Sequence, residues 1–150
     1  MKRGFTLIEL ILTVTIIGIL AALALPLSRN TIQREREFEL REALREMRTA
    51  IDKYKEASDR GQIQLEVGTE GYPKNLEVLV EGVPVLNSPD GKKLKLLRRI
   101  PKDPMTNSTD WGVRSYQDDP KGPSSGAENV FDVYTKSEGT ALDGTKYKDW

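Results

Sequence analysis

The sequence contains no cysteine and no histidine. Those absences exclude disulfides, zinc sites built on thiolate or imidazole, and Ser-His or Cys-His catalysis. The lack of cysteine assigns no compartment; it makes oxidation irrelevant to the fold. A charge of one sign is also missing: 23 Lys and Arg stand against 23 Asp and Glu, and the formal net charge is zero. The basic excess that marks nucleic-acid-binding surfaces is therefore absent, and no nucleic-acid partner is expected. Aromatic residues make up 7% and hydrophobic residues 37%, and the mean hydropathy is -0.51. A chain of 150 residues suits one domain. Small domains bury a smaller share of their surface, so a chain this polar has a thin core that gains from neighbouring subunits.

Much of the apolar content sits in the first 27 residues, and residues 10–28 carry no charge. As a helix those residues cover about 28 Å, close to the hydrocarbon thickness of a bilayer. Lys2 and Arg3 precede the run and stay cytoplasmic by the positive-inside rule. Three readings compete. The run is a secretory signal peptide cut at Ala22-Leu23-Ala24, or a plain membrane anchor, or a helix retained after a short leader is cut between Gly4 and Phe5. Glu9 separates them. An unpaired carboxylate at the edge of an apolar helix costs a few kcal/mol in lipid, and neither a signal peptide nor an anchor has a use for it. A helix packed among copies of itself does. Cleavage after Gly4 gives Phe5 a free α-amine one helical turn from Glu9. The amine of one subunit then neutralises Glu9 of its neighbour, and a buried pair of this kind fixes register.

Lys2-Arg3-Gly4-Phe5-Thr6-Leu7-Ile8-Glu9 resembles the N-terminal signature of type IV pilins and type II secretion pseudopilins. The resemblance implies that a membrane prepilin peptidase cuts after Gly4 and N-methylates Phe5, and that Phe5 and Glu9 serve assembly. Pro26 matches a helix-kinking proline of these families; a proline inside a helix removes one hydrogen bond and bends or opens the local turn. The plain reading of Pro26 is that it ends the membrane segment.

After Ser28 the character changes. Arg34-Glu35-Arg36-Glu37 opens a charged stretch without Gly or Pro until Gly61. Leu40, Leu44, Met47, Ile51 and Tyr54 recur in steps of four and three, one face of an amphipathic helix widened by Ala43 and Ala50. Glu37 with Arg41, and Arg48 with Asp52, are spaced as i,i+4 pairs. The charges read as a solvated face or as inter-subunit pairs, and the apolar face as the dock for the chain's own C-terminal body. Residues 5–57 thus read as one long helix, 5–28 membrane-spanning and the rest amphipathic.

Beyond residue 58 the helical period fades. Pro73 and Gly82 bracket a short helix carrying Leu76 and Leu79. Strands are expected at 94–100, 113–117 and 130–135, the last rich in β-branched and aromatic residues, with a surface loop over 118–126. Trp111 and Trp150 read as core or docking residues. The expected class is α+β: a leader at 1–4, a long N-terminal helix, and a body at 58–150 in which a small antiparallel sheet packs on that helix.

The body is also similar to the major pseudopilin of type II secretion, through Gly71-Tyr72-Pro73, Ile100-Pro101-Lys102-Asp103-Pro104, Trp111-Gly112 and Phe131-Asp132-Val133-Tyr134. Residues 105–110 intervene where that family joins Asp-Pro directly to Trp-Gly. The resemblance places a calcium loop at 137–144, with Glu138 and Asp143 as carboxylate donors. Calcium needs six to eight oxygens, and a metal-free turn is the alternative. The function this implies is a non-catalytic subunit of a periplasmic pseudopilus driving protein secretion. Its partners would be further copies of itself, the prepilin peptidase, minor pseudopilins and an inner-membrane secretion platform. The chain would be single-pass in a bacterial inner membrane with its body in the periplasm. The alternative is a type IV pilus pilin for adhesion, motility or DNA uptake. A third class, a secreted soluble protein with a cleaved signal peptide, would need acid–base carboxylates, and no pair stands out among the 23 acidic residues.

Overall fold

A computed structural model describes residues 4–86, 88, 91–119 and 128–150, of which 23–29 are described without their side chains. Helix α1 runs Leu7–Asp59, followed by α2 (Glu77–Glu81), β1 (Val83–Pro84), β2 (Lys93–Leu94), β3 (Gly112–Arg114), β4 (Asp132–Tyr134) and a 3-10 turn at Tyr147–Asp149. The class is α+β, a long N-terminal helix followed by small antiparallel sheets. The chain divides into two compact units, Met1–Glu35 and Arg36–Trp150.

In the first unit α1 begins at a capped end. Thr6 Oγ1 accepts the amide of Glu9 at 3.3 Å, so one of the orphan N–H groups of the first turn is satisfied. Glu9 lies in that first turn, where a negative charge also suits the helix dipole. Thr13 and Thr15 turn their hydroxyls back to the carbonyls of Leu10 and Ile11, at 2.9 and 2.7 Å. Both of these hydroxyls are therefore satisfied within the helix, as an apolar surrounding requires.

In the second unit the expected stripe is buried. Leu40, Leu44, Met47, Ile51 and Tyr54, with Ala43, Ala50 and Ala57, form one core with Leu79, Leu97, Trp111, Val133 and Tyr147. The helix extends two residues past the expected 57. It stops because Gly61 takes φ 65°, and the amides of Gly61 and Gln62 return to the carbonyls of Ser58 and Ala57 at 2.9 Å each. That is the Schellman closure, in which a residue without Cβ occupies the left-handed position.

The strands depart from expectation in number and length. Among the described residues two separate two-stranded antiparallel sheets form in place of three strands, β1 with β2 and β3 with β4. In the first, Val83 opposes Leu94; in the second, Val113 opposes Val133. The stretch expected as strand 94–100 contributes only its first residue to pairing. Beyond it the amides of Leu96 and Leu97 both donate to Leu79 O, at 3.0 and 2.9 Å, so the chain follows α2 instead. The strand expected at 113–117 ends at Arg114, because Asp118 Oδ2 accepts the Ser115 amide at 2.8 Å and folds 115–118 into a turn. The third expected strand, 130–135, shortens to Asp132–Tyr134. The expected loop 118–126 lies outside the described residues from 120 onward. Strand β1 had no sequence signal, since Pro84 cannot donate to a ladder. Gly112 is required for the β3–β4 pairing: a Cβ there would come within 2.3 Å of the Tyr134 ring.

Candidate functional site

Gly4 and Phe5 precede the helix and are solvent-exposed, Phe5 at 74%. A Cβ added at Gly4 would meet nothing within 4 Å. No packing among the described residues calls for glycine there. Glu9 stands one turn past Phe5, exposed, and no cation pairs with it among the described residues. Lys2 and Arg3 lie outside the described residues. Pro26 falls within α1, which continues beyond it to Asp59; its side chain is among those not described.

Around these residues the helix is apolar on every side. Leu7, Ile8, Leu10, Ile11, Leu12, Val14, Ile16, Ile17, Ile19 and Leu20 are all between 49% and 80% exposed. A helix apolar all round is one made to be buried. Among the described residues no helix is long and apolar enough to cross a membrane; at residue 23 the uncharged run enters the stretch without described side chains.

The body holds its last residues to α1 by buried and half-buried polar contacts. Glu37 Oε1 accepts the Leu142 amide at 2.9 Å and the Tyr147 hydroxyl at 3.0 Å. Arg48 donates from Nε to Asp132 Oδ1 at 2.7 Å, and from Nη2 to Val133 O at 3.2 Å and Trp150 O at 2.8 Å. Arg41 lies 4.0 Å over the Trp150 ring and 3.9 Å from Asp143. The two i,i+4 pairs expected on α1 thus give way to long-range partners for Glu37, Arg41 and Arg48. Helical pairs do form further on, Lys55 with Asp59 and Glu56 with Arg60; the Asp59 bond holds the Lys55 ammonium above its ordinary value. The role of Glu37 had a legible signal, because it extends the buried stripe by one more step of three from Leu40. Nothing local pointed to Arg48.

Asp103 is a second buried carboxylate, fully enclosed. It accepts the Met105 amide at 2.8 Å and the hydroxyls of Thr106 and Thr135. Residues 105–110, inserted between Asp-Pro and Trp-Gly, therefore wrap around it, with the Asp103 amide donating to Ser108 O at 2.8 Å.

At the expected calcium loop, Glu138 and Asp143 are both exposed. Asp143 Oδ1 already accepts the Thr145 amide and hydroxyl at 2.9 and 2.6 Å. Those bonds, the hydroxyl first and with Arg41 adding to them, hold its carboxyl below the ordinary 3.8. Among the described residues no group of three or more His, Cys, Asp or Glu side chains is placed to hold a metal ion. A calcium shell of six to eight oxygens would have to draw on backbone carbonyls and water as well as Glu138 and Asp143.

Residues 1–25 match the family model described as the prokaryotic N-terminal methylation motif. A type IV major fimbrial protein (FimA) of Dichelobacter nodosus is 48% identical over 52 residues, 35% of this chain and 33% of that protein. The type IV major alpha-pilin of Moraxella bovis is 43% identical over 51 residues, 34% of this chain and 32% of the relative. The matches thus span about a third of the length of these curated relatives. No solved structure matches the chain significantly. The chain carries the N-terminal methylation motif of type IV pilin-like proteins and is homologous over that third to type IV pilins.

Proposed function

We propose that this protein is a structural, non-catalytic subunit of a type IV pilin-like filament, and that the filament is a type IV pilus. The observation that carries the reading is the helix from Leu7 onward, whose apolar side chains as far as Leu20 stand exposed on every side. Lipid and other copies of the helix are surroundings that suit such a surface. Both cover it in turn if the precursor sits single-pass in a bacterial inner membrane, with its body in the periplasm, and passes into a filament. In this reading a prepilin peptidase cuts between Gly4 and Phe5 and methylates the new amine, and Glu9 receives that amine from a neighbouring copy. The fimbrial relatives support the pilus as the setting.

A second reading, a pseudopilus subunit of type II secretion, is favoured by the body. Its 100–104 segment is organised about Asp103, and its end is tied down through Glu37 rather than through a disulfide. One deletion strain separates the two. Loss of surface fibres in electron micrographs marks a pilus. Intact fibres with exported proteins retained in the periplasm mark a pseudopilus. Intact-mass measurement of membrane-extracted protein tests what both share: loss of residues 1–4 with one added methyl is expected, and a new N-terminus after Ala24 overturns both.

A further inference from the structure

We infer that a groove beside Arg45 receives the loop Leu65-Glu66-Val67 of a second copy of this chain, an inference that rests on the filament reading. The groove, about 600 Å3, lies along α1 and is lined by Arg41, Leu44, Arg45, Arg48 and Trp150, with Asp52 and Asp143 as its acidic members. Contacts within the chain occupy two of the three arginines. Arg48 is occupied by Asp132, Val133 O and Trp150 O, and Arg41 by the Trp150 ring and Asp143. Arg45 is exposed and has no ion-pair partner among the described residues. Arg45 is thus the unpaired cation of the groove, beside the half-buried indole of Trp150.

Elsewhere on the body a loop has the complementary make-up. Val67 is 100% exposed and Leu65 58% exposed, and between them Glu66 is exposed without a cation partner among the described residues. The loop is held on both sides. Ile63 bridges to Val85, and the Thr69 hydroxyl donates to Glu66 O at 2.9 Å. An apolar–acidic–apolar knob on an anchored loop loses little freedom on docking. Its carboxylate meets the unpaired Arg45 while its aliphatic side chains cover the Trp150 edge. Groove and knob are different patches of one chain, so their contact is heterologous. Repeated from copy to copy, such a contact builds a ring or, where its rotation does not close, an open helical array, whereas a two-fold dimer uses one patch twice.

The full-length chain in membranes of an expressing strain provides the test, helped by its lack of cysteine. Thr49→Cys in the groove combined with Val67→Cys in the loop should give a ladder of covalent multimers on mild oxidation, and neither single variant should. Arg45→Glu and Glu66→Lys should each lower filament yield about tenfold, the size of one lost charge pair, and the double variant should restore it. Both residues are exposed, so unchanged melting temperatures confirm that the variants fold. Wild-type filaments with no ladder, with closed dimers only, or with no rescue by the double variant overturn this inference alone. Absence of filaments from the wild type overturns the filament reading and this inference with it.

Discussion

Glu37 and Glu9 are carboxylates on one helix with opposite circumstances. Glu37 is buried and its partners are inside the chain. Glu37→Ala takes the acceptor from the buried Tyr147 hydroxyl, at about 1–3 kcal/mol for an unsatisfied buried group, and from the half-buried Leu142 amide at a smaller cost. Thermal melts in detergent should show the body destabilised, and Glu37→Gln, which keeps an acceptor oxygen, should lose less. Glu9 has no partner in its own described chain, so its substitution should leave the body's melt unchanged. Glu9→Leu should also ease membrane insertion, by up to roughly 3 kcal/mol. Filament yield should nevertheless collapse, because a neighbour's cationic Phe5 amine is left buried and breaking such a pair costs about 3–5 kcal/mol. Normal filaments from Glu9→Leu would remove Glu9 as the inter-subunit partner. Asp143 sets a pH dependence. Its carboxyl is held below 3.8 in the folded chain, so its contribution is present above that value and is lost as the pH falls through the lower, folded one. Melts of wild type and Asp143→Asn should differ at neutral pH and converge in strong acid.

At the scale of elements, glycines divide into those the fold needs and those it does not. Gly112 lies against the Tyr134 ring across the β3–β4 pair. Gly112→Ala forces that ring aside, an overpacking cost of about 1–3 kcal/mol, visible as a lower melting temperature. Gly4 touches nothing. Gly4→Ala should leave the melting temperature where it was and act only on processing, seen as uncut precursor by mass. Helix α1 was legible because both of its halves follow local rules, an uncharged run and then a 3.6-residue stripe. The expected strands were legible in place but not in length, because each is two or three residues long and the chain beyond is diverted by other acceptors: Leu79 O for 96 and 97, and the Asp118 carboxylate for 115. Period-two alternation cannot register in segments that short.

For the whole molecule, the C-terminal loop closes on the protein's own donors. Asp143 is satisfied by Thr145, Glu37 holds Leu142, and Arg48 holds Trp150 O. Calcium should therefore leave the melting temperature equal to that in chelator. A ligand that binds only the folded state at 100 times its dissociation constant would add about 2.7 kcal/mol, so a rise in calcium that disappears in Asp143→Ala would restore the metal loop. Removal of the apolar helix bears on assembly. A chain beginning near Arg29 should sediment as a monomer, and stable filaments from it would show that the helix is not the main contact.

The sequence alone determined what depends on neighbours within a few residues: the uncharged 10–28 run, the Gly4-Phe5 junction with Glu9 beyond it, and the buried face from Leu40 to Tyr54. Local periodicity and charge are properties of the chain itself. Only the tertiary structure decided the partners of its buried and half-buried charges. Glu37 meets Leu142 across 105 positions, Arg48 meets Asp132 across 84, and Asp103 meets Thr135 across 32. A charged side chain has several possible partners along the chain, and which one it finds is set by how the core beneath it packs.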